Sequence, residues 1–364
     1  MRLAFFIPSL HRTGGMERVL TTKANYLANA GYEVHLVTWR QKGRKPAFSL
    51  DPRVRLADLG DRSRFRGSFP QRLRQAIAAL KPDISLSLGG RDAFFLPAAA
   101  EGRPCVAEYH FCYDKFFLKY SRAALKPYAW LRTWLRDRAF SKFDGLVSLT
   151  KEDCPAWAAV CRRVWQIYNP LTLSGGLEAP SGQPRGKRVI AAGRLVKEKN
   201  FADLIRAWES VAALHPDWRL DIFGEGRERK RLQTLIFRLG LEGRAALRGS
   251  SDSLACEYAK SSLLALSSKR EGFPLVLIEG SSLGLPLISY ACPTGPSEII
   301  EDGVNGLLVK PGDRQQLAKA LCRLIEDKEL RGRMGAEALR SSERFSLPRI
   351  MKQWESLFAE LAGS

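Results

Sequence analysis

Two glutamates in the second half of the sequence, Glu271 and Glu279, flank an apolar stretch and could bind the hydroxyl groups of a ligand. The residues after Glu271, Gly-Phe-Pro-Leu at 272–275, predict a turn that leads into a helix, because proline is tolerated at a first helical position. Backbone amides at such a helix start lack acceptors and can bind an anion. Carboxylates beside anion-binding amides would suit the hydroxyls and phosphates of a sugar nucleotide. The alternative is that the helix dipole alone favours a glutamate here.

Arg194 and Lys199 could supply positive charge to a phosphate. They stand in the segment Gly-Arg-Leu-Val-Lys-Glu-Lys-Asn at 193–200, which follows a strand pattern and precedes a helical one. An arginine can form two parallel hydrogen bonds with a phosphate, and a lysine adds a compact charge. The alternative is an exposed basic turn in which Asn200 caps the next helix.

Gly14 and Gly15 follow the first predicted strand, and His110 follows a later one. A pair of glycines allows the backbone to approach a phosphate closely at a helix start. The pattern is neither a dinucleotide-binding glycine motif nor a phosphate-binding loop with lysine. His110 could donate to a substrate hydroxyl or transfer a proton. A purely structural histidine is the alternative.

Short β-rich runs alternate with helical patterns through both halves of the chain, which predicts parallel sheets covered by helices. In doubly wound sheets of this kind, ligands bind beyond the carboxyl ends of the strands. The predicted strands are residues 3–8, 33–38, 84–88, 106–109 and 145–149 in the first half, and 188–192, 219–223, 245–248, 263–267, 286–290 and 307–309 in the second.

The length of 364 residues suits two domains. Glycine, serine and proline cluster at 169–186, where the periodic patterns end, so we predict a linker there. An N-terminal Rossmann-like domain is expected over residues 1–168 and a C-terminal one over 187–345. The final stretch, 346–364, is predicted to be a helix that could return to the N-terminal domain.

The net charge of +20 is concentrated in the first half of the chain. Residues 1–170 contain 29 lysines and arginines against 14 acidic residues, whereas the remainder contains 29 against 24. Such asymmetry suggests an anionic partner for the first half. The seven cysteines are widely spaced and contain no Cys-x-x-Cys pair, so neither disulfides nor a zinc site is expected.

Taken together, these motifs resemble those of the family 4 glycosyltransferases. The resemblance extends over nearly the whole chain and includes the spacing of Glu271 and Glu279, the pair Arg194 and Lys199, and the glycine turn at 14–15. The segment 302–309 also matches. At Gly295-Pro296, however, this chain departs from the commoner pair of glycines. The resemblance implies an α/β protein of the GT-B fold, in which two Rossmann-like doubly wound domains face each other across a cleft.

The resemblance implies a retaining glycosyltransferase that uses neither a covalent enzyme intermediate nor a bound metal or other cofactor. It would move a hexose or N-acetylhexosamine from a nucleotide sugar, expected to be UDP-linked, to a glycan or lipid-linked saccharide during the synthesis of polysaccharide or lipopolysaccharide. Glu279 would accept from the ribose, Glu271 from the donor sugar, and His110 would meet that sugar from the opposite domain. The implied donor site comprises Gly14, Gly15, Arg194, Lys199, Glu271, Gly272, Phe273, Pro274, Leu275 and Glu279, and the implied catalytic residues are Glu271, His110, Arg194 and Lys199.

Aromatic and basic residues alternate in the segment 128–138, which predicts an amphipathic helix with Trp130 and Trp134 on one face and Arg132 and Arg136 on another. Such helices suit a membrane interface. The alternative is burial of the tryptophans in the domain core. A second basic cluster precedes this helix and consists of Arg62, Arg64, Arg66, Arg72 and Arg74.

These features predict a cytoplasmic protein that is peripheral at the inner face of the cytoplasmic membrane. An anionic membrane surface is the expected partner besides the two substrates, and nucleic acid is not expected because no nucleic-acid-binding module is evident. Two other functions fit the same fold. One is a sugar-nucleotide epimerase, and the other is a non-catalytic sugar-nucleotide binding protein. A non-catalytic protein should have lost Glu271, Arg194 or Lys199, and all three are present.

Overall fold

The computed structural model describes residues 1–60, 68–120, 123–173, 185–251 and 253–363. The chain forms two units, of which one combines Met1–Thr172 with Leu347–Ser364 and the other is Leu173–Ser346. Outside the described residues lie most of the predicted linker and three arginines of the second basic cluster, Arg62, Arg64 and Arg66.

In the first unit, the described strands are β1 (Arg2–Phe6), β2 (Glu33–Thr38), β3 (Arg55–Asp58), β4 (Ile84–Ser87), β5 (Cys105–Tyr109), β6 (Gly145–Ser148) and β7 (Val164–Gln166). They form one parallel sheet in the order β3-β2-β1-β4-β5-β6-β7. The inner strands are buried on both faces, which explains their continuous apolar runs.

The helices of the first unit cover this sheet, and the last of them comes from the C-terminus of the chain. They are α1 (Gly15–Asn29), α2 (Ser68–Leu80), α3 (Leu96–Ala99), α4 (Lys115–Lys119), α5 (Lys126–Phe140), α6 (Cys154–Ala158) and α14 (Leu347–Ala362). The apolar face of α14, including Ile350, Trp354 and Phe358, packs in one core with Leu3 and Phe5 of β1. The C-terminal helix thereby completes the core of the first unit.

The second unit contains a parallel sheet in the order β10-β9-β8-β11-β12-β13. These strands are β8 (Arg188–Ala192), β9 (Arg219–Phe223), β10 (Ala245–Gly249), β11 (Leu263–Leu266), β12 (Leu287–Tyr290) and β13 (Gly306–Val309). The helices are α7 (Phe201–Leu214), α8 (Arg229–Arg238), α9 (Leu254–Ala259), α10 (Leu275–Ser282), α11 (Pro296–Ile299), α12 (Arg314–Glu326) and α13 (Lys328–Ser342).

Both sheets reverse their strand order at one place, between β1 and β4 in the first unit and between β8 and β11 in the second. The loops that leave the two central strands therefore turn to opposite faces and leave a crevice between them. The prediction of two Rossmann-like sheets is confirmed. The sequence patterns missed only the edge strands β3 and β7 among the described strands, because their side chains are exposed or half-buried and lack an apolar run.

None of the helices in the described part of the chain combines the length and the apolar character that a bilayer span requires. The cysteines at all seven positions are free thiols, three of them half-buried.

Candidate functional site in the second unit and its counterpart in the first

Lys199 and Glu271, which are 72 residues apart, meet at the reversal point of the second sheet. Lys199 lies in the loop after β8 and donates from Nζ to Glu271 Oε1 over 2.7 Å. Glu271 lies in the loop after β11, and Ser268 donates to the same carboxylate oxygen. The two paired side chains are 19% and 10% exposed, so solvent still reaches the pair. The structure thus brings together one cation and one hydroxyl acceptor that the sequence analysis assigned to a sugar nucleotide.

The two loops are joined by further hydrogen bonds. Ser267 donates from its hydroxyl to the carbonyl of Lys199 at 3.1 Å, and the amide of Lys269 donates to the carbonyl of Glu198. Arg270 also donates to the Glu198 carboxylate at 3.0 Å. These bonds hold the two loops together independently of the ion pair itself.

A third loop approaches closely enough to require glycine. Gly224 and Gly226 follow β9 with positive φ values of 136° and 159°. A side chain at either position would overlap a carbonyl of the loop after β8, that of Gly193 or that of Leu195. The loop that carries Arg194 and Lys199 is therefore supported by backbone from the neighbouring strand.

Helix α10 begins next to Glu271 and exposes unpaired amides. It starts at Leu275, one residue later than predicted, with Pro274 at the N-cap in an extended conformation. Leu277 already donates to the carbonyl of Pro274, whereas the amides of Leu275 and Val276 have no backbone acceptor among the described residues. These two amides can bind an anion at the positive end of the helix.

The loop after β12 supports this helix start. Thr294 has a positive φ of 57° and donates from its hydroxyl to the carbonyl of Glu271 over 2.7 Å. Gly295 has a φ of 96°, and a side chain there would lie 2.6 Å from the ring of Pro274. The departure from a glycine pair at 295–296 is accommodated because Pro296 occupies the first turn of α11, where proline is favoured.

Arg194 and Glu279 occupy contrasting environments. Arg194 is exposed, and its guanidinium has no hydrogen-bond or ion-pair partner among the residues that the structure describes. Glu279 is fully buried in α10, where its Oε2 accepts from the Tyr258 hydroxyl at 3.1 Å. The roles of both residues toward a nucleotide remain predictions.

In the first unit, Gly14 and Gly15 lie at the carboxyl edge of β1, where Gly14 is the N-cap of α1. A side chain at Gly14 would overlap the carboxylate of Glu17, which lies in the first turn of the same helix. A protein carboxylate therefore lies beside the helix start that was predicted to contact phosphate. The assignment of Gly14 and Gly15 to the donor stays a prediction.

His110 lies directly after β5 with its side chain almost entirely buried. Its Nε2 is 3.2 Å from Glu108 Oε1, within ion-pair distance but off the line of a well-formed hydrogen bond. Glu108 is also fully buried and is bound by Lys23 of α1, whose Nζ lies 2.8 and 2.6 Å from the two carboxylate oxygens. Burial raises the pKa of Glu108, but Lys23 and His110 more than offset this and hold the pKa at about 2.

The tryptophans of α5 are exposed, which contradicts the alternative of burial in the core. Trp130 is 62% exposed and Trp134 is 44% exposed, and Arg132 beside them is also exposed. The prediction that Arg136 is exposed and contributes to membrane contact together with Arg132 is wrong. Arg136 is 6% exposed and lies 4.2 Å from the ring centroid of Tyr113 and 4.7 Å from that of Trp157, because its guanidinium stacks against aromatic rings of the core.

One group of metal-ligand types occurs in the described part of the chain. His215, Cys322 and Glu326 have ligand atoms within 4.8 Å of one another. His215 follows the C-terminus of α7, whereas Lys199 precedes its N-terminus, so the group lies about 20 Å away at the far end of a 14-residue helix. It has no part in the site around Glu271.

Several residues of these sites were not identified from the sequence. Ser268 and Thr294 contact Glu271, Tyr258 contacts Glu279, and Glu108 contacts both His110 and Lys23. A signal existed for Thr294, since it belongs to a turn-forming Thr-Gly-Pro sequence. Tyr258 and Lys23 are distant from their partners in the chain, whereas Ser268 and Glu108 are close to theirs, but no periodic pattern indicates any of these side-chain contacts.

Each half of the chain matches a glycosyltransferase family. Residues 179–341 match the family Glycosyl transferases group 1, and residues 13–174 match Glycosyltransferase Family 4. A Campylobacter jejuni relative is 27% identical over 100% of both chains, and it is named as a GalNAc-α-(1→4)-GalNAc-α-(1→3)-diNAcBac-PP-undecaprenol α-1,4-N-acetyl-D-galactosaminyltransferase. The exopolysaccharide phosphotransferase of Streptomyces coelicolor is 43% identical over the whole of this chain, which corresponds to 41% of that longer protein.

Among solved structures, HepE of Anabaena in complex with UDP-glucose is similar in fold. It has a TM-score of 0.78 at 20% identity and covers 99% of this chain and 100% of its own. The similarity supports the GT-B fold.

Proposed function

This chain belongs to the family 4 glycosyltransferases, and from that membership we propose that it transfers a hexose or N-acetylhexosamine from a UDP-linked donor with retention of configuration. It is a glycosyltransferase for lipid-linked or polysaccharide acceptors. The nucleotide, the stereochemistry and the membrane-surface action are our proposals. The UDP-glucose complex of HepE and the lipid-linked acceptor named for the Campylobacter relative support them.

The observation that carries this proposal is the contact of Lys199 with Glu271 at the reversal point of the second sheet. Ligands of doubly wound sheets bind at this place. A carboxylate, an ammonium group and the first amides of α10 are combined there. This combination fits a ligand that carries hydroxyl groups next to a diphosphate.

The cations and amides would act on the leaving group. When the bond between the anomeric carbon and the diphosphate breaks, negative charge develops on the outer phosphate, and preorganised donors stabilise that charge. Lys199, Arg194 and the amides of Leu275 and Val276 are the donors that we assign to it. They would fill the role that a divalent cation has in other transferases.

Retention follows from attack on the face from which the diphosphate departs. The acceptor oxygen forms its bond to the anomeric carbon, and its proton passes to a phosphate oxygen of the departing UDP. In this scheme Glu271 accepts from hydroxyls of the donor sugar and acts as neither base nor nucleophile. Glu279 accepts from the ribose, and His110 contacts the transferred sugar.

For the acceptor, we propose a lipid-linked saccharide at an anionic membrane on the cytoplasmic side. The exposed tryptophans of α5 lie next to arginines on the most basic part of the chain, and this combination suits a lipid interface. Lipid binding through α5 would place the enzyme at the bilayer surface.

Sugar transfer by the purified full-length protein tests this function. We expect turnover with a UDP-sugar from a panel of UDP- and GDP-sugars and a polyprenyl-diphosphate glycan as acceptor. The variant Glu271→Gln should lose on the order of 100-fold or more in kcat, because the sugar contact and the position of Lys199 are both affected. Glu225→Gln is the matched control, since the side chain of Glu225 forms an exposed ion pair with Arg229. Equal turnover by Glu271→Gln would contradict the site, and absence of turnover with every donor would contradict the function.

A further inference from the structure

The interior of the first unit contains a charged pair that the proposed transfer does not use directly. Lys23 and Glu108 lie 85 residues apart, and each side chain is about 1% exposed. Burying two charges costs free energy, and replacement of such a pair by apolar residues is often neutral or stabilising. Stability alone therefore gives no reason for charges at this position in the core.

The pair is next to His110, which Glu108 contacts. Glu108 is the second-last residue of β5, and His110 is the first residue after that strand. Glu108 Oε1 is 2.8 Å from Lys23 Nζ and 3.2 Å from His110 Nε2, so one oxygen faces both groups. The imidazole orientation is thus coupled to the position of this carboxylate.

The C-terminal helix restrains the other side of the pair. Lys23 Nζ lies 3.7 Å from the ring centroid of Trp354 in α14, and Trp354 is 1% exposed. An ammonium group over an indole face is held by a cation–π interaction, which is strongest where water is excluded. Lys23 is consequently fixed between Glu108 and Trp354, and Glu108 has little freedom to move.

Glu108 Oε1 lies 3.2 Å from His110 Nε2, and an ionised carboxylate oxygen at this distance would repel a nitrogen lone pair. The imidazole nitrogen that faces the carboxylate therefore carries the proton. In neutral His110 this places the proton on Nε2 and leaves Nδ1 as an acceptor.

We propose that Glu108, held by Lys23 and Trp354, is a positioning residue that fixes the ring and the Nε2–H tautomer of His110 and so leaves Nδ1 as the hydrogen-bond acceptor for the transferred sugar. This inference rests on the proposed contact of His110 with that sugar. It also gives α14 a role in the reaction, since Trp354 restrains the Lys23–Glu108 pair.

Imidazole ¹⁵N NMR of the full-length protein at pH 8 tests the tautomer without any substrate. The chain has four histidines, and the variant His110→Asn assigns the signal. We expect the Nε2–H tautomer in the wild type and a mixture of tautomers in the double variant Lys23→Met/Glu108→Gln. The double variant avoids the unpaired buried charge that either single change would leave, and its melting temperature verifies folding.

Kinetics on the same proteins test the consequence for transfer. The double variant should lose on the order of 10–100-fold in kcat, as outer-shell partners of metal-binding histidines do when removed, with KM for the nucleotide sugar changed less than about threefold. The matched control is Glu33→Gln, because Glu33 contacts His35 Nε2 at 3.0 Å in the same unit. It should alter only the His35 signal and leave kcat unchanged.

A folded double variant that keeps both the Nε2–H tautomer and the wild-type kcat overturns the inference. Failure of the proposed function is recognised separately. If the tautomer changes as expected but His110→Asn transfers sugar at the wild-type rate, Glu108 positions the ring and the contact of His110 with the sugar is wrong.

Discussion

At Glu271 a single carboxylate oxygen accepts from both Lys199 and Ser268. In the proposed donor complex, the second oxygen would accept from a sugar hydroxyl while the side chain stays in place. The carboxylate offsets the charge of Lys199, and the proposed diphosphate would take over that role when it binds. Charge-assisted hydrogen bonds of this kind are stronger than neutral ones, so the pair is preorganised before the donor arrives.

A second carboxyl group, that of Asp92, gives a prediction for stability. Asp92 is fully buried after β4, and burial raises its pKa to about 7. Since the folded pKa lies above the unfolded value, the protonated side chain stabilises the fold at low pH. This stabilisation is lost as the pH rises through about 7.

We therefore expect the melting temperature of the wild type to fall by a few degrees relative to that of Asp92→Asn as the pH rises from 4.5 to 7.5. Thermal unfolding across this range measures the difference, and only its slope with pH is diagnostic because the amide can add a constant offset. Parallel curves for the two proteins would show that the carboxyl group does not titrate in this range.

At the scale of elements, α5 illustrates how one helix serves both the core and the surface. Its Thr133, Arg136 and Ala139 are buried, whereas Trp130 and Trp134 are exposed. Arg136 belongs to the core because aromatic rings and Asp137 surround its guanidinium. The outer face keeps apolar surface that a membrane could bury.

For membrane contact by α5, we predict that the wild type co-sediments with vesicles of phosphatidylglycerol and that binding weakens as salt rises. The double variant Trp130→Ser/Trp134→Ser should bind at least about tenfold more weakly, because two aromatic side chains no longer enter the interface. Phe237→Ser is the matched control, since Phe237 is 66% exposed in the second unit. Binding that ignores lipid charge and salt, or that survives the double variant, would exclude this surface.

At the scale of the whole molecule, the chain crosses between its units twice. The described residues around 173 lead into the second unit, and the step from Ser346 to Leu347 returns the chain to the first. Because α14 supplies Trp354 to the first core, loss of the C-terminus would affect the surroundings of Lys23 and Glu108 as well as stability.

Ligand binding to the second unit should be visible in the unfolding of the whole protein. We expect UDP at 100 times its Kd to stabilise the folded protein by about 2.7 kcal/mol. Arg194→Ala should lose much of this shift in melting temperature, since it removes the proposed phosphate contact. Arg219→Ala is the control, because Arg219 begins β9 at the opposite edge of the sheet. An equal shift in wild type and Arg194→Ala would remove Arg194 from the donor site.

All the described strands except the edge strands β3 and β7, together with the C-terminal helix, the doubly wound sheets and the family, were predictable from the sequence. They depend on patterns within about 10–20 neighbouring residues: apolar runs, glycine turns and a helical period. Tertiary structure alone decided that Lys199 contacts Glu271, that Lys23 contacts Glu108, and that Arg136 is buried. Each of these depends on side chains that come together from distant elements. Packing and desolvation determine which of these side chains make contact, and such contacts leave no periodic signal in the sequence.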